Sequence, residues 1–191
     1  MSINLLETVQ QNLGYPPLQK IDPNTQETTN EKTHIENKFS QAAIPAVLNA
    51  LYRYVQYDEG AEELLHNTNS VWLDKIFENN KEAVIKKIFD YAGTEHNKTI
   101  NDIAAIADEA VRLTKESLPE TSDIREVKLF LKNQKTNFLL YLPVSLHMGE
   151  LLKDNTLDDN TNKMEGPVSS LMQNIGSAFS KPVTGEEIKP D

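Results

Sequence analysis

The chain of 191 residues contains no cysteine, which excludes disulfides, thiolate metal sites, iron–sulfur clusters and a cysteine nucleophile. Its seven glycines are scattered, so no glycine-rich phosphate loop is present. It also lacks the Gly-x-Ser-x-Gly turn that exposes a catalytic serine in many hydrolases. These absences favour a protein without enzymatic activity.

Long apolar runs are absent as well. The most apolar stretch, residues 138–148, is shorter than the ~18 residues that a membrane-spanning helix needs, and Pro143 and His147 interrupt it. The first nine residues have no basic group and their apolar positions are spaced, unlike a secretory signal. We therefore expect a cytoplasmic protein without an integral membrane segment, of a kind typical of small helical bacterial proteins.

Basic residues are few. Nineteen Lys and Arg oppose 29 Asp and Glu, which gives a net charge of −10. Nucleic-acid affinity comes largely from Lys and Arg that neutralise phosphates, so neither DNA nor RNA is an expected partner. A protein partner, a second copy of the chain or a metal ion fits this charge better.

Apolar side chains recur at helical spacing along most of the sequence. Leu, Ile, Val and Ala must supply the core, because aromatic residues make up only 7% of the chain. The pattern predicts an all-α fold, an irregular bundle of about seven to nine helices. It also predicts an N-terminal helix that lies beyond a proline-rich linker.

Four segments are predicted along the chain. Residues 1–14 form the N-terminal helix, which Ser2 caps and Gly14 ends, and residues 15–32 form the linker. Residues 33–180 form the helical domain, in which a Thr33–Glu36 capping box marks the first helix. Residues 181–191 form a disordered polar tail. The N-terminal helix either docks on the domain or acts as a detachable arm.

Several helices of the domain are predicted from single apolar stripes. Within the first of them, Pro45 either kinks the helix or opens a new one. Two later helices are predicted to end at Gly93 and to begin at Ser122. Asp108 and Arg112 stand four residues apart, which predicts an ion pair on a helix surface. The stripes comprise Ile44, Val47, Leu48, Leu51 and Val55; Trp72, Leu73, Ile76 and Phe77; Val84, Ile85, Ile88 and Phe89; Ile103, Ile106, Ala107, Ala110 and Val111; and Val127, Phe130 and Leu131.

The segment from Phe138 to Leu146 is apolar on all sides. We interpret it as the central helix of the bundle, because a helix without a polar face must be surrounded by others. A short buried strand is the alternative, although the neighbouring sequence offers no partner strands.

An acidic loop resembles the calcium loop of an EF-hand over about a dozen residues. Counted from Asp154, oxygen-bearing side chains fall at the first, third, fifth, seventh, ninth and twelfth places, the spacing of an EF-hand. Asp159 stands where that loop has glycine, and Thr161 where it has an apolar residue. A solvated loop rich in turn-forming Asp and Asn is the alternative. The predicted ligands are Asp154, Thr156, Asp158, Asn160, Asn162 and Glu165.

Glutamate and histidine pairs suggest a second metal site. Glu63 and His66 have the Glu-x-x-His spacing that di-iron four-helix bundles use twice. His147 and Glu150 have the reverse order, beside the most apolar segment. A transition metal is the cofactor that these pairs predict. The alternative is a histidine that is simply hydrogen-bonded in or beside the core.

A last amphipathic helix is predicted from Pro167 to Phe179, with a polar face that carries almost no charge. It can dock in the bundle, pair with a second copy or enter a groove of a partner protein. The sequence thus favours a non-enzymatic structural or protein-interaction module that self-associates. The rival hypothesis is a metal-binding protein or metalloenzyme that uses the acidic loop or the Glu/His pairs.

Overall fold

A computed structural model describes residues 3–21, 35–67 and 71–152 of the chain, and every regular element within these ranges is helical. The predicted all-α multi-helix fold is thereby confirmed. Short 3-10 turns lie at Glu78–Asn80 and Val144–Leu146. The α-helices are α1 (Leu5–Asn12), α2 (Ile35–Tyr54), α3 (Asp58–His66), α4 (Trp72–Phe77), α5 (Lys81–Ala92), α6 (His96–Glu116), α7 (Ile124–Leu139) and α8 (Met148–Leu152). Among the described residues, no helix combines the length and the apolarity that a bilayer span requires.

Helix α2 is the centre of the bundle. Every residue from Phe39 to Leu51 is buried, and the helix contacts α1, α4, α5, α6 and α7. Small residues such as Ala42, Ala46 and Ala50 let these neighbours approach from all sides, and a helix that is surrounded needs no polar face. The single apolar stripe predicted for this segment therefore underestimates how much of it is buried.

Pro45 lies in the interior of α2, and the helix continues through it to Tyr54. The alternative in which this proline opens a new helix is wrong. A proline at this position removes one backbone N–H donor, so the carbonyl of Gln41 loses the helical hydrogen bond that it would otherwise accept.

The prediction of a central helix at residues 138–146 is wrong. Helix α7 ends at Leu139, a turn follows, and Pro143 adopts an extended conformation before a single 3-10 turn. Phe138 and Leu146 are fully buried, but Leu140 is 45% exposed. The apolar residues of this segment cover the end of the bundle instead of crossing its middle.

The predicted stripe of α6 is confirmed, and that of α5 is confirmed except at Phe89, which is half-buried. Val84, Ile85 and Ile88 are buried on α5, and α6 buries its apolar stripe from Ile103 to Val111. Gly93 follows α5 with φ of +68°, a left-handed conformation that glycine adopts without steric cost. These signals are local in the sequence, which explains why they predict the structure well.

The helix caps differ by a residue or two from those predicted. Helix α7 begins with a capping box between Asp123 and Glu126, one residue after the expected Ser122. Asn4 caps α1, and its side chain accepts a hydrogen bond from the N–H of Glu7. The predicted caps at residues 2 and 33 lie outside the described ranges.

Arg112 does not pair with Asp108 as predicted. Its guanidinium binds Glu109 at 2.7 Å and also Glu116, so the two carboxylates on either side of it along α6 hold it. Several carboxylates lie within about one turn of this arginine, and a spacing of four residues does not by itself predict which of them forms the ion pair.

Candidate interaction site: the seat of the N-terminal segment

Residues 3–21 lie against the bundle, and the docked arrangement of the N-terminal helix is the one observed. Leu5, Leu6 and Val9 are at most 2% exposed, and α1 contacts α2, α6 and α7. We call residues 3–21 the N-terminal segment and the surface of α2, α6 and α7 beneath it the seat. The predicted domain boundaries fall partly outside the described residues and stay predictions.

Gln134 of α7 holds the beginning of the N-terminal segment. Its Nε2 donates a hydrogen bond to the carbonyl of Ile3 at 2.8 Å, and its Oε1 accepts one from the N–H of Leu5 at 3.1 Å. The first N–H groups of a helix have no partner within the helix, and this buried amide supplies one. The side chain of Asn137 donates to the same Oε1 and so fixes the orientation of the amide.

Gln41 of α2 holds the other end of the N-terminal segment. Its Oε1 accepts a hydrogen bond from the N–H of Gln19 at 2.8 Å, and its Nε2 donates to the carbonyl of the same residue at 2.9 Å. Nε2 also donates to the carbonyl of Tyr141, which ties the segment to the turn after α7. The N–H of Ile21 donates to the carbonyl of Leu140 in that turn at 2.8 Å.

The two glutamines therefore bind main-chain atoms of the N-terminal segment at both of its ends. Side-chain specificity comes from the three buried residues of α1 and from Tyr15, whose ring lies 5.9 Å from that of Phe39. Burial, with smaller contributions from Asp102 and Glu36, raises the pKa of Tyr15 to about 12, so the phenol is neutral at physiological pH.

A polar contact closes the outer edge of the seat. The Nδ2 of Asn12 donates a hydrogen bond to Oε1 of Glu109 at 2.7 Å. The hydrogen bond from Arg112 to Glu109, together with the one from Asn12, holds the pKa of this carboxyl below its usual range even though burial opposes the shift. The carboxylate thus links α1 to α6 while it remains charged.

Sequence reasoning missed Gln41 and Gln134, although a signal was present. Gln134 stands between Leu131 and Phe138 at helical spacing, where an apolar residue would continue the buried stripe of α7. A buried polar side chain must find a hydrogen-bond partner, so a glutamine in such a stripe indicates a specific polar contact. The sequence does not show that the partner lies 131 residues away.

The predicted Glu63–His66 pair lies at the end of α3. Glu63 accepts hydrogen bonds from the phenol of Tyr54 and from the side chain of Asn67, and it forms an ion pair with Lys75 at 2.8 Å. His66 is exposed. Glu63 is therefore engaged by a lysine and a phenol in this structure.

The other predicted metal ligands are only partly described. His147 is exposed, with φ of +46°, just before α8, which contains Glu150. Within residues 3–21, 35–67 and 71–152, no group of three or more His, Asp or Glu side chains is arranged to hold a metal ion. The acidic loop 154–165 and the predicted helix 167–179 lie outside the described residues.

Comparison with known proteins identified no related protein. No protein-family model matches the chain, and neither a curated protein nor a solved structure matches it significantly.

Proposed function

We propose that the chain is a non-enzymatic protein-interaction module that self-associates by exchanging its N-terminal segment between copies. The observation that carries this proposal is the pairing of the buried Gln134 amide with the main chain of Ile3 and Leu5. A seat that binds a segment in this way is a built peptide-binding surface. In this structure the chain's own first residues occupy it.

The same seat fits the same segment from a second copy. The hydrogen bonds that join Gln134, Gln41 and Glu109 to the N-terminal segment can form in the same way whether the segment belongs to the same chain or to another. Exchange of an identical element between protomers is a low-cost route to a dimer. Residues 22–34 are the connection that would have to pass from one copy to the other.

The energetic contribution of the docked segment is substantial. Full burial of Leu5, Leu6 and Val9 contributes about 1.5–3 kcal/mol for each side chain. An undocked segment would expose these side chains, so a vacant seat favours capture of a segment from either source. A tethered segment competes at an effective concentration of order millimolar, so exchange rises with protein concentration.

We also propose that the chain is cytoplasmic and that its partners are proteins, and both proposals follow from its composition. A chain without cysteine is compatible with the reducing cytoplasm, and its net charge of −10 disfavours nucleic-acid partners. Cell fractionation followed by detection of the native chain tests the location. Recovery of the protein with membranes or in a secreted fraction would contradict it.

The exchange is tested with two single-cysteine variants of the full chain, Asn12→Cys and Glu109→Cys. Their parent residues are hydrogen-bonded at 2.7 Å, and the natural chain contributes no competing thiol. After the two variants are mixed, a short bismaleimide is added, because it joins thiols that are too far apart for a direct disulfide. We expect a covalent heterodimer whose yield rises with protein concentration.

A Glu116→Cys variant is the matched control for Glu109→Cys. Residue 116 is exposed on the same helix, two turns and about 10 Å further from Asn12. The Asn12→Cys/Glu109→Cys double variant should form the cross-link within one chain, which shows that the reagent can join these two positions. If the Asn12→Cys and Glu109→Cys mixture then gives no more heterodimer at any concentration than the Asn12→Cys and Glu116→Cys mixture, segment exchange is wrong.

A further inference from the structure

A second feature, an open groove, lies where the end of α2 meets α3 and α4. It encloses about 470 Å³, within the range of small-molecule sites. Its walls include Arg53, Tyr54 and Tyr57 from the α2–α3 corner, and Ile76 of α4 contributes an apolar part. None of the hydrogen bonds and ring contacts described above for the N-terminal segment involves these residues.

One wall of the groove is fixed by a hydrogen-bonded group. Glu63 accepts a hydrogen bond from the phenol of Tyr54 at 2.5 Å and forms an ion pair with Lys75 at 2.8 Å. Burial and the hydrogen bond to Glu63 raise the pKa of Tyr54, so this phenol stays protonated and keeps donating. The charge of Glu63 is thereby balanced within the wall.

Gly60 brings α3 unusually close to α2. A Cβ atom at this position would lie 2.2 Å from the carbonyl oxygen of Tyr54, a distance that no side chain tolerates. The shape of the groove therefore depends on a glycine at the first turn of α3.

Charged side chains without ion-pair partners among the described residues also line the groove. The chain has three arginines, and two of them form ion pairs, Arg112 with Glu109 and Arg125 with Asp123. Arg53 is half-buried in the groove, and its guanidinium forms no ion pair or hydrogen bond with any described residue. A half-buried guanidinium without a carboxylate, in a chain of net charge −10, is unusual.

The groove also carries unpaired negative charge. Glu59 and Glu78 line it, and within the described part of the chain neither takes part in an ion pair or a side-chain hydrogen bond. Neither lies within 4 Å of the Arg53 guanidinium, because no ion pair joins them. The groove therefore presents a cationic group and anionic groups that are held apart.

We propose that this groove is a binding site for a small zwitterion, specifically a free α-amino acid. Its carboxylate binds the guanidinium of Arg53, which can form two parallel hydrogen bonds to it. Its ammonium group binds Glu59 or Glu78, and an apolar side chain lies against the ring of Tyr57, which is 60% exposed, and Ile76. Tyrosine and arginine are the residue types that most often dominate the affinity of binding surfaces.

Three probes separate the two charges of the ligand. The full-length ¹⁵N-labelled chain is titrated with L-leucine, N-acetyl-L-leucine and L-leucinamide, and the shift of the Gly60 amide resonance is followed. We expect saturable binding of leucine and a Kd higher by about tenfold or more for each probe that lacks one charge, because each loses a charge-assisted contact.

Variants connect the binding to the groove. Arg53→Gln should raise the Kd for leucine about tenfold or more, whereas Arg125→Gln, which lies in an exposed ion pair outside the groove, should leave it unchanged. In the Glu59→Gln/Glu78→Gln double variant, the Kd for leucine should rise to that which the natural chain has for N-acetyl-leucine. Equal melting temperatures of the variants and the natural chain show that folding is not the cause.

Each other outcome overturns the proposal. Absence of a saturable shift rejects an amino-acid site, and so does a Kd that Arg53→Gln leaves unchanged. Equal affinity for leucine and its acetylated form shows a site for carboxylates alone. The cross-linking test reports the proximity of residues 12 and 109 between copies, whereas this titration reports binding in the groove. Segment exchange and amino-acid binding can therefore fail independently.

Discussion

Gln134 and Leu5 are separated by 129 residues, yet the side-chain oxygen of the first accepts the backbone N–H of the second at 3.1 Å inside the bundle. Helix α1 is too short to be stable alone in water, since isolated helices below ~12–15 residues are marginal. Its helical state therefore depends on the seat, and the amide of Gln134 is the most specific part of that seat.

Gln134→Leu should loosen the N-terminal segment. The leucine fits a buried position but leaves the carbonyl of Ile3 and the N–H of Leu5 without a partner, at a cost of about 1–3 kcal/mol for each group that stays buried. Amide hydrogen exchange in residues 5–12 should accelerate more than exchange in α2. The exposed neighbour Asn133 provides the control, and Asn133→Leu should leave exchange in α1 unchanged. Equal protection of α1 in both variants would contradict the role of this amide.

Asn49→Leu should stabilise the protein. Asn49 is 1% exposed in α2, and within the described part of the chain neither Nδ2 nor Oδ1 has a hydrogen-bond partner. An unpaired buried amide costs about 1–3 kcal/mol, which an apolar side chain of similar size recovers. The urea midpoint should rise for Asn49→Leu and fall for Asn49→Asp, which buries a charge. A lower midpoint for the leucine variant would show that a buried water satisfies the amide.

Gly60→Ala and Gly93→Ala should differ in their cost. At residue 60 the added methyl collides with a backbone carbonyl, whereas at residue 93 it meets open space and only the left-handed φ opposes it. We expect the first change to lower the free energy of unfolding by about 3 kcal/mol and the second by about 1 kcal/mol. Chemical denaturation of both variants measures the difference. Equal losses would mean that α3 moves away from α2 at little cost.

The pKa of Glu109 predicts a dependence of stability on acid. Arg112 and Asn12 lower this pKa in the folded state, so the carboxylate stabilises the fold above the unfolded value of about 4.3. That contribution is lost as the pH falls through the folded-state pKa. Arg112→Gln should therefore make the loss of stability between about pH 5 and pH 3 shallower. The exposed Lys132→Gln matches the change in charge and should keep the slope of the natural chain.

Calcium binding by residues 154–165 stays a prediction from the sequence. If the loop binds the ion, calcium raises the melting temperature, because a ligand that binds only the folded state stabilises it. Glu165→Gln removes the twelfth-place carboxylate and should abolish the rise. Glu187→Gln removes the same charge from the tail and should preserve it. Identical melting curves with and without calcium would rule out this site.

Local patterns predicted the helices whose signals are contained in a few turns. The stripe of α6, three of the four stripe residues of α5 and its Gly93 stop were correct, because spacing and a terminal glycine indicate them without reference to the rest of the chain. The fold class followed from the same information.

The choice of the central helix could not be made in that way. Residues 138–146 are more apolar than α2, but the bundle places the Ala-rich α2 in the middle, because small side chains allow neighbours to approach from every direction. Hydropathy measures how strongly a segment favours burial. Whether other helices can surround that segment depends on the sizes of its side chains.

The contacts between the seat and the N-terminal segment could not be predicted from the sequence either. Gln41 and Gln134 can be recognised as polar residues in apolar surroundings, but only the tertiary arrangement shows that Gln19 and Ile3 are their partners. The groove shows the same limit, because Arg53 and Glu78 are far apart in sequence and line one groove only when α4 packs beside α2.

The distance between Leu5 and Gln134 also sets an order of events during synthesis. At 5–20 residues per second, the ribosome needs about 6–26 s after Leu5 to reach Gln134, and longer before α7 has emerged. From the time α1 emerges until α7 follows it, the three apolar side chains of α1 are without their complete seat. If the proposed exchange occurs, a neighbouring copy on the same messenger whose seat is vacant would be close enough to receive the segment first.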